Sequence, residues 1–192
     1  KLRRIIYPFI LRRKKRQVEK ELPPKIERLH YCGMNERQAD FYEETRNQYR
    51  NYLLDLVNSG SYKRNKLNLL AGLQKLRQIA IHPKLVEFEG YELKESGKYL
   101  EIKRMIYEVI SKKSKVLIFS QFVKMLQLLK NDFDEEGIAY SYLDGSTKDR
   151  NKVVDTFQNS KDIPIFLISL KAGGVGLNLT SADYVFILDP WW

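Results

Sequence analysis

The fold is decided by residues 115–147, which read KVLIFSQFVKMLQLLKNDFDEEGIAYSYLDGST. A short apolar run at residues 116–119 is followed by a helical pattern over residues 123–133 and by a second apolar run at residues 140–143. Strands that alternate with helices indicate βαβ units and a parallel sheet. The near-continuous apolar character of both runs is typical of strands that are covered on both faces.

The same alternation continues along the chain. Residues 148–157 have helical spacing, and two further apolar runs follow at residues 165–170 and 184–188. The sequence therefore predicts an α/β core over residues 96–192, with four parallel strands flanked by helices. Because ligands of open parallel sheets bind outside the carboxyl ends of the strands, the four loops that follow the strands should share one edge.

The chain before residue 96 is predicted to be mostly helical. Residues 1–22 have the pattern of a basic helical brace, which Pro23 and Pro24 end. Residues 23–34 are expected to form a strand that leads into the core, because polar and apolar residues roughly alternate there.

Residues 35–95 predict a helical hairpin that protrudes from the core. Asn35, with Gln38 three residues later, predicts a capping box at the start of the first helix. The second helix is predicted over residues 64–81, with leucines at helical spacing, and a further amphipathic helix is predicted over residues 98–112.

The composition is that of a globular protein with a core of its own. Of the 192 residues, 43% are hydrophobic and 30% are charged. No apolar run is long enough to span a bilayer, so we expect no membrane partner. The single cysteine, Cys32, excludes an internal disulfide framework and is typical of a reducing compartment. We expect an intracellular protein, nuclear in a eukaryote, or cytoplasmic and at the nucleoid in a prokaryote.

Most of the positive charge lies in one short segment. The net charge is +10, and residues 1–20 carry nine Lys or Arg residues against one acid, Glu19. Such a basic block indicates either a polyanionic partner or a solvated tail.

The loop after the third predicted strand carries the most informative pattern, SLKAGGVGLN at residues 169–178. Its glycines can adopt backbone conformations that other residues rarely adopt, and they let a phosphate approach main-chain N–H groups. Ser169 adds a hydroxyl and Lys171 adds a cation. The alternative is a strand-to-helix turn that needs glycine only for its geometry. The glycines are Gly173, Gly174 and Gly176.

The loop after the second predicted strand has a clear local interpretation. Asp144-Gly145 is a turn signal, and Ser146 is expected to cap the next helix, with Asp149 at its third position. An exposed helix amino terminus is also a good phosphate site, so the two interpretations are compatible.

The sequence lacks the motifs that bind nucleotide phosphates and metal. There is no G-x-x-x-x-G-K-[ST], and the similar stretch at residues 96–99, SGKY, has the wrong spacing and follows no strand. No pair of acids follows an apolar strand in the manner of a Mg²⁺ site. His30, Cys32 and His82 do not have metal-ligand spacing, so we expect no metal site.

These motifs, in this order, resemble the second motor lobe of the Swi/Snf family of helicase-like ATPases. The resemblance covers most of the chain and begins with PFILRRKK at residues 8–15 and LPPK at residues 22–25. The further matching stretches are LRQIAIHP at 76–83, SGK at 96–98, KVLIFSQF at 115–122 (similar to motif four), LDGST at 143–147, SLKAGGVGLNL at 169–179 (similar to motif five) and DPWW at 189–192 (approaching motif six).

The resemblance implies a RecA-like, P-loop-NTPase-like lobe of a DNA-dependent ATPase. It implies that ATP and Mg²⁺ are bound mainly by a preceding amino-terminal RecA-like lobe of the same polypeptide. It also implies that the track is double-stranded DNA and that DNA-bound proteins are the remodelling target. Because the P-loop, the Mg²⁺-binding acids and the paired arginines of motif six are absent here, we expect this stretch to hold no catalytic residue and to be inactive alone.

The resemblance also assigns site residues, with one departure from the family pattern. Leu170 stands where the family often has a second hydroxyl, which leaves Ser169 as the expected phosphate-contacting hydroxyl. The expected DNA contacts are Arg12, Arg13, Lys14, Gln121, Gly145, Ser146, Thr147, Ser169, Lys171, Gly173 and Gly174. The residues expected to lie nearer the nucleotide are Gly176, Asn178 and Asp189.

Two other functions are compatible with parts of the pattern. One is a lobe of a strand-separating DNA or RNA helicase, against which the protrusion and the block at residues 8–15 argue. The other is a non-catalytic Rossmann-like module that binds a small phosphorylated ligand through the glycine loop. The glycines there precede no long helix after a first strand, and the usual acid about 20 residues further on is not in place.

Overall fold

The computed structural model describes residues 25–60, 66–86, 96–173 and 176–190. The chain divides into two units, Lys1–Tyr31 and Cys32–Trp192. In the first unit, residues 25–31 are exposed and have no regular secondary structure. The predicted brace at residues 1–22 lies outside the described residues.

The strand predicted over residues 23–34 is not formed by the described part, residues 25–34. Ile26 is 77% exposed and Leu29 is 83% exposed, and neither lies in a strand. An alternating pattern makes a strand only where a neighbouring strand supplies the ladder hydrogen bonds, and these residues are not part of the sheet. This prediction is wrong.

Two long helices form the predicted hairpin. Helix α1 spans Glu36–Asn58, helix α2 spans Lys66–Ile81, and the two pack against each other. Asn35 caps α1 as predicted, because its Oδ1 accepts a hydrogen bond from the backbone N–H of Gln38 at 2.9 Å. A short 3₁₀ turn, Pro83–Leu85, follows α2.

A four-stranded, wholly parallel sheet forms the core, with strand order β2-β3-β1-β4. This confirms the predicted α/β class, and each predicted strand is found to within one residue at its ends. The elements are α3 Gly97–Ser111, β1 Val116–Ser120, α4 Val123–Glu136, β2 Tyr140–Leu143, α5 Arg150–Asn159, β3 Ile165–Ser169, α6 Leu170–Gly173 and β4 Tyr184–Ile187.

Both faces of the sheet are covered, as the apolar strands predict. On one face, α3 and α4 pack through residues such as Ile106 and Leu129 against Ile118, and all three are fully buried. On the other face, Phe157 of α5 packs against Phe166 of β3, with ring centroids 5.0 Å apart. Burial of this kind is the main stabilising contribution of the core, about 1.5–3 kcal/mol for each large side chain.

The base of the hairpin is joined to the core by a buried amide. Gln38 is completely buried, and its Nε2 donates to the carbonyl oxygen of Ile79 at 2.8 Å. Its Oε1 accepts from the backbone N–H of Gly97 at 3.3 Å. Ser96, the N-cap of α3, donates its hydroxyl proton to the carbonyl oxygen of Ile81 at 2.7 Å. These bonds connect α1, the end of α2 and the start of α3.

The outer half of the hairpin exposes much of its apolar stripe. Leu53 is 42% exposed, Leu70 is 61% exposed and Leu73 is 52% exposed. Two helices alone cannot cover an apolar stripe from all sides, because burial requires a further packed layer. None of the helices in the described part of the chain is long and apolar enough to cross a membrane.

His82 is a buried titratable group at the junction between hairpin and core. It is 1% exposed, its ring meets that of Tyr99 edge to face at 5.1 Å, and its Nδ1 accepts from the backbone N–H of Lys84 at 3.1 Å. Burial, helped by the charge of Lys84 and opposed by that of Asp132, lowers the pKa of His82 from 6.5 to about 4.

Folding should therefore weaken as the pH falls below the ordinary pKa of histidine. Between pH 6.5 and about 4, the unfolded chain binds a proton at His82 that the folded chain does not. The stabilising contribution is complete above pH 6.5 and is lost on acidification, by about 2 kcal/mol between pH 7 and pH 5.

His82→Asn tests this assignment, because asparagine keeps an acceptor for the Lys84 N–H and does not titrate in this range. Urea unfolding at pH 7 and pH 5 should show a smaller loss for the variant than for the wild type. Equal losses in the two proteins would contradict it.

Candidate nucleic-acid interface

The carboxyl ends of all four strands lie on one edge of the sheet, because all strand pairs are parallel. We call this edge the rim and define it as residues 120–122, 144–149, 170–173 and 188–189. The β2 loop, residues 144–149, follows β2 and lies beside α6, which follows β3. Next along the rim come the end of β1 and then the end of β4. The prediction that the loops share one edge is confirmed.

The β2 loop is held in shape by Asp144. Its Oδ1 accepts from the backbone N–H of Ser146 at 2.8 Å and from the Ser146 hydroxyl at 2.6 Å. These bonds lower the pKa of Asp144, and the bond from the Ser146 hydroxyl has the largest effect. Gly145 and Ser146 are exposed and Thr147 is half-buried, so all three predicted contacts lie at the rim surface.

The helix after this loop is capped differently from the prediction. Asp149 is the N-cap of α5, and its Oδ1 accepts from the backbone N–H of Lys152 at 3.0 Å. The expectation that Ser146 is the cap is wrong, because the Ser146 hydroxyl is engaged by Asp144. Serine and aspartate are both good caps, so the sequence pattern alone does not decide between them.

The glycine loop begins as a short helix, and Ser169 is turned into the protein. Ser169 is 2% exposed, and its hydroxyl accepts from the backbone N–H of Ala172 at 3.3 Å. In this structure the Ser169 hydroxyl supports α6, contrary to the expectation that it contacts a phosphate. Lys171, in contrast, is exposed at the rim, as predicted.

The two described glycines of this loop serve different purposes. A Cβ on Gly173 would lie 2.8 Å from Ile168 Cγ2 and 2.9 Å from Phe119 Cε1, so this glycine is required by close packing. Gly176 has a φ of +69°, a left-handed conformation, and is exposed with open space around it. The geometric interpretation of the loop is therefore correct at both described positions.

Arg150, at the start of α5, joins the second and third loops. Its Nη2 donates to the carbonyl oxygen of Ala172, and its buried Nε has no hydrogen-bond partner among the described residues. Nothing in the sequence pattern distinguishes Arg150 from the solvated charges around it. It borders the rim, which itself carries the exposed Lys148 and Lys171, so three cations lie at this edge.

The other half of the rim is organised by Asp189. This carboxylate is 3% exposed and accepts from the Ser120 hydroxyl at 2.9 Å and from the backbone N–H of Gln121 at 3.0 Å. Burial raises the pKa of Asp189, and the hydrogen bonds oppose that rise. Asp189 thus ties the end of β4 to the end of β1, and its expected proximity to a nucleotide stays a prediction.

Gln121 is a half-buried rim residue that faces the hairpin. When its amide oxygen is turned towards α2, the side chain accepts hydrogen bonds from Arg77 Nη2 and, at 3.2 Å, from Arg77 Nη1. In the opposite amide orientation, its Nε2 donates to the carbonyl oxygen of Asp189 at 3.4 Å. The guanidinium carbon of Arg77 lies 5.9 Å from the centroid of the Phe122 ring. Lys98 lies nearby, and burial lowers its pKa. The charge of Arg77 adds to this shift, whereas Cys32 and Asp189 oppose it.

Asn178 is not brought to the rim. Its carbonyl oxygen accepts from Gln158 Nε2 at 3.2 Å, and Gln158 lies eight residues beyond Arg150 in α5. At 1.5 Å per residue, that places the contact about 12 Å down the helix from the rim. Asn178 and Asp189 are both expected near the nucleotide, but in this structure Asn178 lies away from the rim that contains Asp189.

Some expected site residues lie outside the described ones, namely Arg12, Arg13, Lys14 and Gly174. No group of three or more His, Cys, Asp or Glu side chains is placed to hold a metal ion within the ranges that the structure describes. The described rim presents cations and hydrogen-bond donors beside three carboxylates, Asp144, Asp149 and Asp189, which are engaged by local hydrogen bonds. Its cations and free donors fit an anionic ligand.

Comparison with family models assigns both parts of the chain. Residues 97–192 match the helicase conserved C-terminal domain, and residues 1–85 match the SNF2-related domain. A mouse protein, "SWI/SNF-related matrix-associated actin-dependent regulator of chromatin subfamily A member 1", is 37% identical over 207 residues, which cover 100% of this chain and 19% of that protein. The chain thus spans about a fifth of the length of this relative.

Two solved structures from Sulfolobus solfataricus have the same fold. The SWI2/SNF2 ATPase C-terminal domain matches with a TM-score of 0.69 and 31% identity, over 85% of this chain and 71% of that one. The SWI2/SNF2 ATPase core in complex with dsDNA matches with a TM-score of 0.72 and 33% identity, over 100% of this chain and 41% of that one.

Gly173→Ala should destabilise the fold, because the added methyl group collides with Ile168 and Phe119. We expect a loss of about 1–3 kcal/mol in the free energy of unfolding, measured by urea titration. Gly145→Ala is the matched control, since no atom lies within 4 Å of its Cβ position. A Gly173 variant as stable as the Gly145 variant would show that the packing argument fails.

Proposed function

The chain belongs to the SNF2-related family of helicase-like ATPases, and we propose that, as the carboxy-terminal RecA-like lobe of such a motor, it grips the backbone of double-stranded DNA during ATP-driven translocation. The grip is formed by the rim, with Lys171, Gln121 and the loop at residues 144–147 on the phosphates. The protein-DNA complexes that such a motor would remodel are part of the same proposal.

The observation that carries the proposal is the convergence of separate loops on one edge of the sheet. Lys171 is exposed there beside the loop that follows β2, which carries the exposed Lys148, and Arg150 borders the rim with a third cation. Phosphate contacts position a protein on DNA without reading its sequence, so a surface of this kind suits a motor that tracks along any sequence. The relative from Sulfolobus solfataricus whose structure contains dsDNA supports duplex DNA as the track.

The family is ATP-dependent, and we propose that this lobe supplies one wall of the ATP site. ATP and Mg²⁺ would be held mainly by a preceding RecA-like lobe, since the described residues here offer no acidic cluster for a metal. Bound ATP supplies the free energy that opens and closes the cleft between the lobes. The residues of this chain would hold the track while the other lobe moves.

Binding of duplex DNA to this chain should be independent of sequence and steeply dependent on salt. Neutralisation of about three phosphates predicts a loss of roughly 40-fold in affinity between 50 and 200 mM salt. Fluorescence anisotropy with two duplexes of unrelated sequence measures both properties. An affinity that does not change with salt would exclude the backbone grip, and tight binding of a small phosphorylated ligand instead would favour the Rossmann-like alternative.

Lys171→Ala in the full-length motor should reduce DNA-stimulated ATPase activity more than basal ATPase activity, because this lysine serves the track. Loss of one phosphate contact should also lower the slope of log affinity against log salt by about 0.9. Lys161→Ala is the matched control, since Lys161 is an exposed lysine in the loop before β3, at the opposite edge of the sheet.

An equal loss of basal and stimulated activity in the Lys171 variant would contradict this role. A strand-displacement assay on the same protein separates the two motor types, because a duplex translocase leaves the strands paired whereas a strand-separating helicase releases one.

A further inference from the structure

Arg77 is a hairpin residue that contacts the rim. It lies on α2, close to the base of the hairpin, and is half-buried. Its guanidinium carbon lies over the Phe122 ring, 5.9 Å from the centroid, and the guanidinium donates to the amide oxygen of Gln121 when that oxygen faces α2. A planar guanidinium that lies over a ring and donates through two nitrogens is restricted in orientation, which a lysine could not reproduce.

Gln121 is consequently held from two sides. Its backbone N–H donates to the Asp189 carboxylate at 3.0 Å, which fixes the main chain at the end of β1. Its side chain faces Arg77 of α2, which donates to the amide oxygen when that oxygen is turned towards α2. A free glutamine side chain loses up to about 2 kcal/mol of rotamer entropy when it is ordered, so ordering before ligand binding strengthens any contact that it makes.

Arg77 is itself connected to the rest of the hairpin base. Two residues further along α2, the carbonyl oxygen of Ile79 accepts from Gln38 Nε2 of α1 at 2.8 Å. Gln38 also contacts the start of α3 through Gly97. A displacement of the hairpin base would therefore move the guanidinium that holds Gln121.

We propose that Arg77 is a positioning residue that holds the Gln121 side chain on the rim, so that the base of the hairpin sets how the β1 loop grips the DNA backbone. This inference rests on the proposed function and deepens it, since it names which hairpin residue governs the contact. It differs from a direct contact of Arg77 with phosphate, because in this structure the guanidinium is engaged by Gln121 and Phe122.

A double-mutant cycle on the full chain tests the proposal. Arg77→Met keeps an unbranched apolar stem and removes the guanidinium with its hydrogen bonds, and Gln121→Ala removes the group that is positioned. Each variant should bind duplex DNA about 3- to 10-fold more weakly than the wild type, the range expected for one hydrogen-bonded contact. The double variant should be no weaker than Gln121→Ala alone, because Arg77 acts through Gln121.

Two controls separate positioning from charge and from folding. Arg50→Met removes the same type of side chain from an exposed site on the hairpin and should leave the affinity within about 2-fold of wild type. Arg77→Lys keeps the charge and should remain impaired. Additive losses in the double variant, or full affinity with Arg77→Lys, would overturn the proposal.

A second readout does not depend on DNA. The side-chain amide resonances of Gln121, assigned by their loss in Gln121→Ala, should shift in Arg77→Met and stay in place in Arg50→Met. If the wild-type chain binds no duplex while these resonances shift, the proposed function fails and the positioning contact stands. If they do not shift, the positioning contact fails whether or not DNA binds.

Discussion

The complete burial of β3 is the constraint on which the rest of the structure depends. All five residues of Ile165–Ser169 are buried, with a parallel neighbour on each side. A strand without a solvent face requires helices on both faces of the sheet, and parallel neighbours require connections that cross the sheet. Because all the strand pairs are parallel, every strand's carboxyl end lies on the same edge. The rim therefore follows from the parallel arrangement that accompanies the burial of β3, and its loops are free to vary in chemistry.

The hairpin is attached to this core by polar groups, whereas its outer half remains exposed. Gln38 is completely buried and satisfied through both ends of its amide, and Ser96 caps α3 while it donates to Ile81. Buried polar groups of this kind cost about 1–3 kcal/mol if they are left unpaired, so they allow few alternative ways of docking the hairpin. Attachment by directed bonds lets the base of the hairpin hold a defined angle, while leucines further out on the described helices remain exposed.

The sheet and the helices could be predicted from the sequence because their signals are local. Apolar runs of four or five residues, helical spacing and caps such as Asn35 each involve neighbours along the chain. The errors occur where a pattern needs a distant partner. The residues near Ile26 alternate without a strand to pair with, and the choice of Asp149 over Ser146 as a cap depends on how Asp144 closes the turn. Of the rim, the shared edge of the loops and the exposed position of Lys171 could be predicted. The burial of Ser169 and the position of Asn178 could not, because they depend on Ala172 and Gln158 across the fold.

The reach of Gln38 along the chain has a consequence for the order in which the protein folds. Its bonds connect it to Ile79, 41 residues away, and to Gly97, 59 residues away. Closing loops of that size costs conformational entropy before any contact forms, whereas each helix of the hairpin needs only its own residues. We therefore expect α1 and α2 to form early. The base of the hairpin should dock on the core later, after α3 has formed. During synthesis, residue 97 must have left the ribosome before Gln38 can form all of these hydrogen bonds.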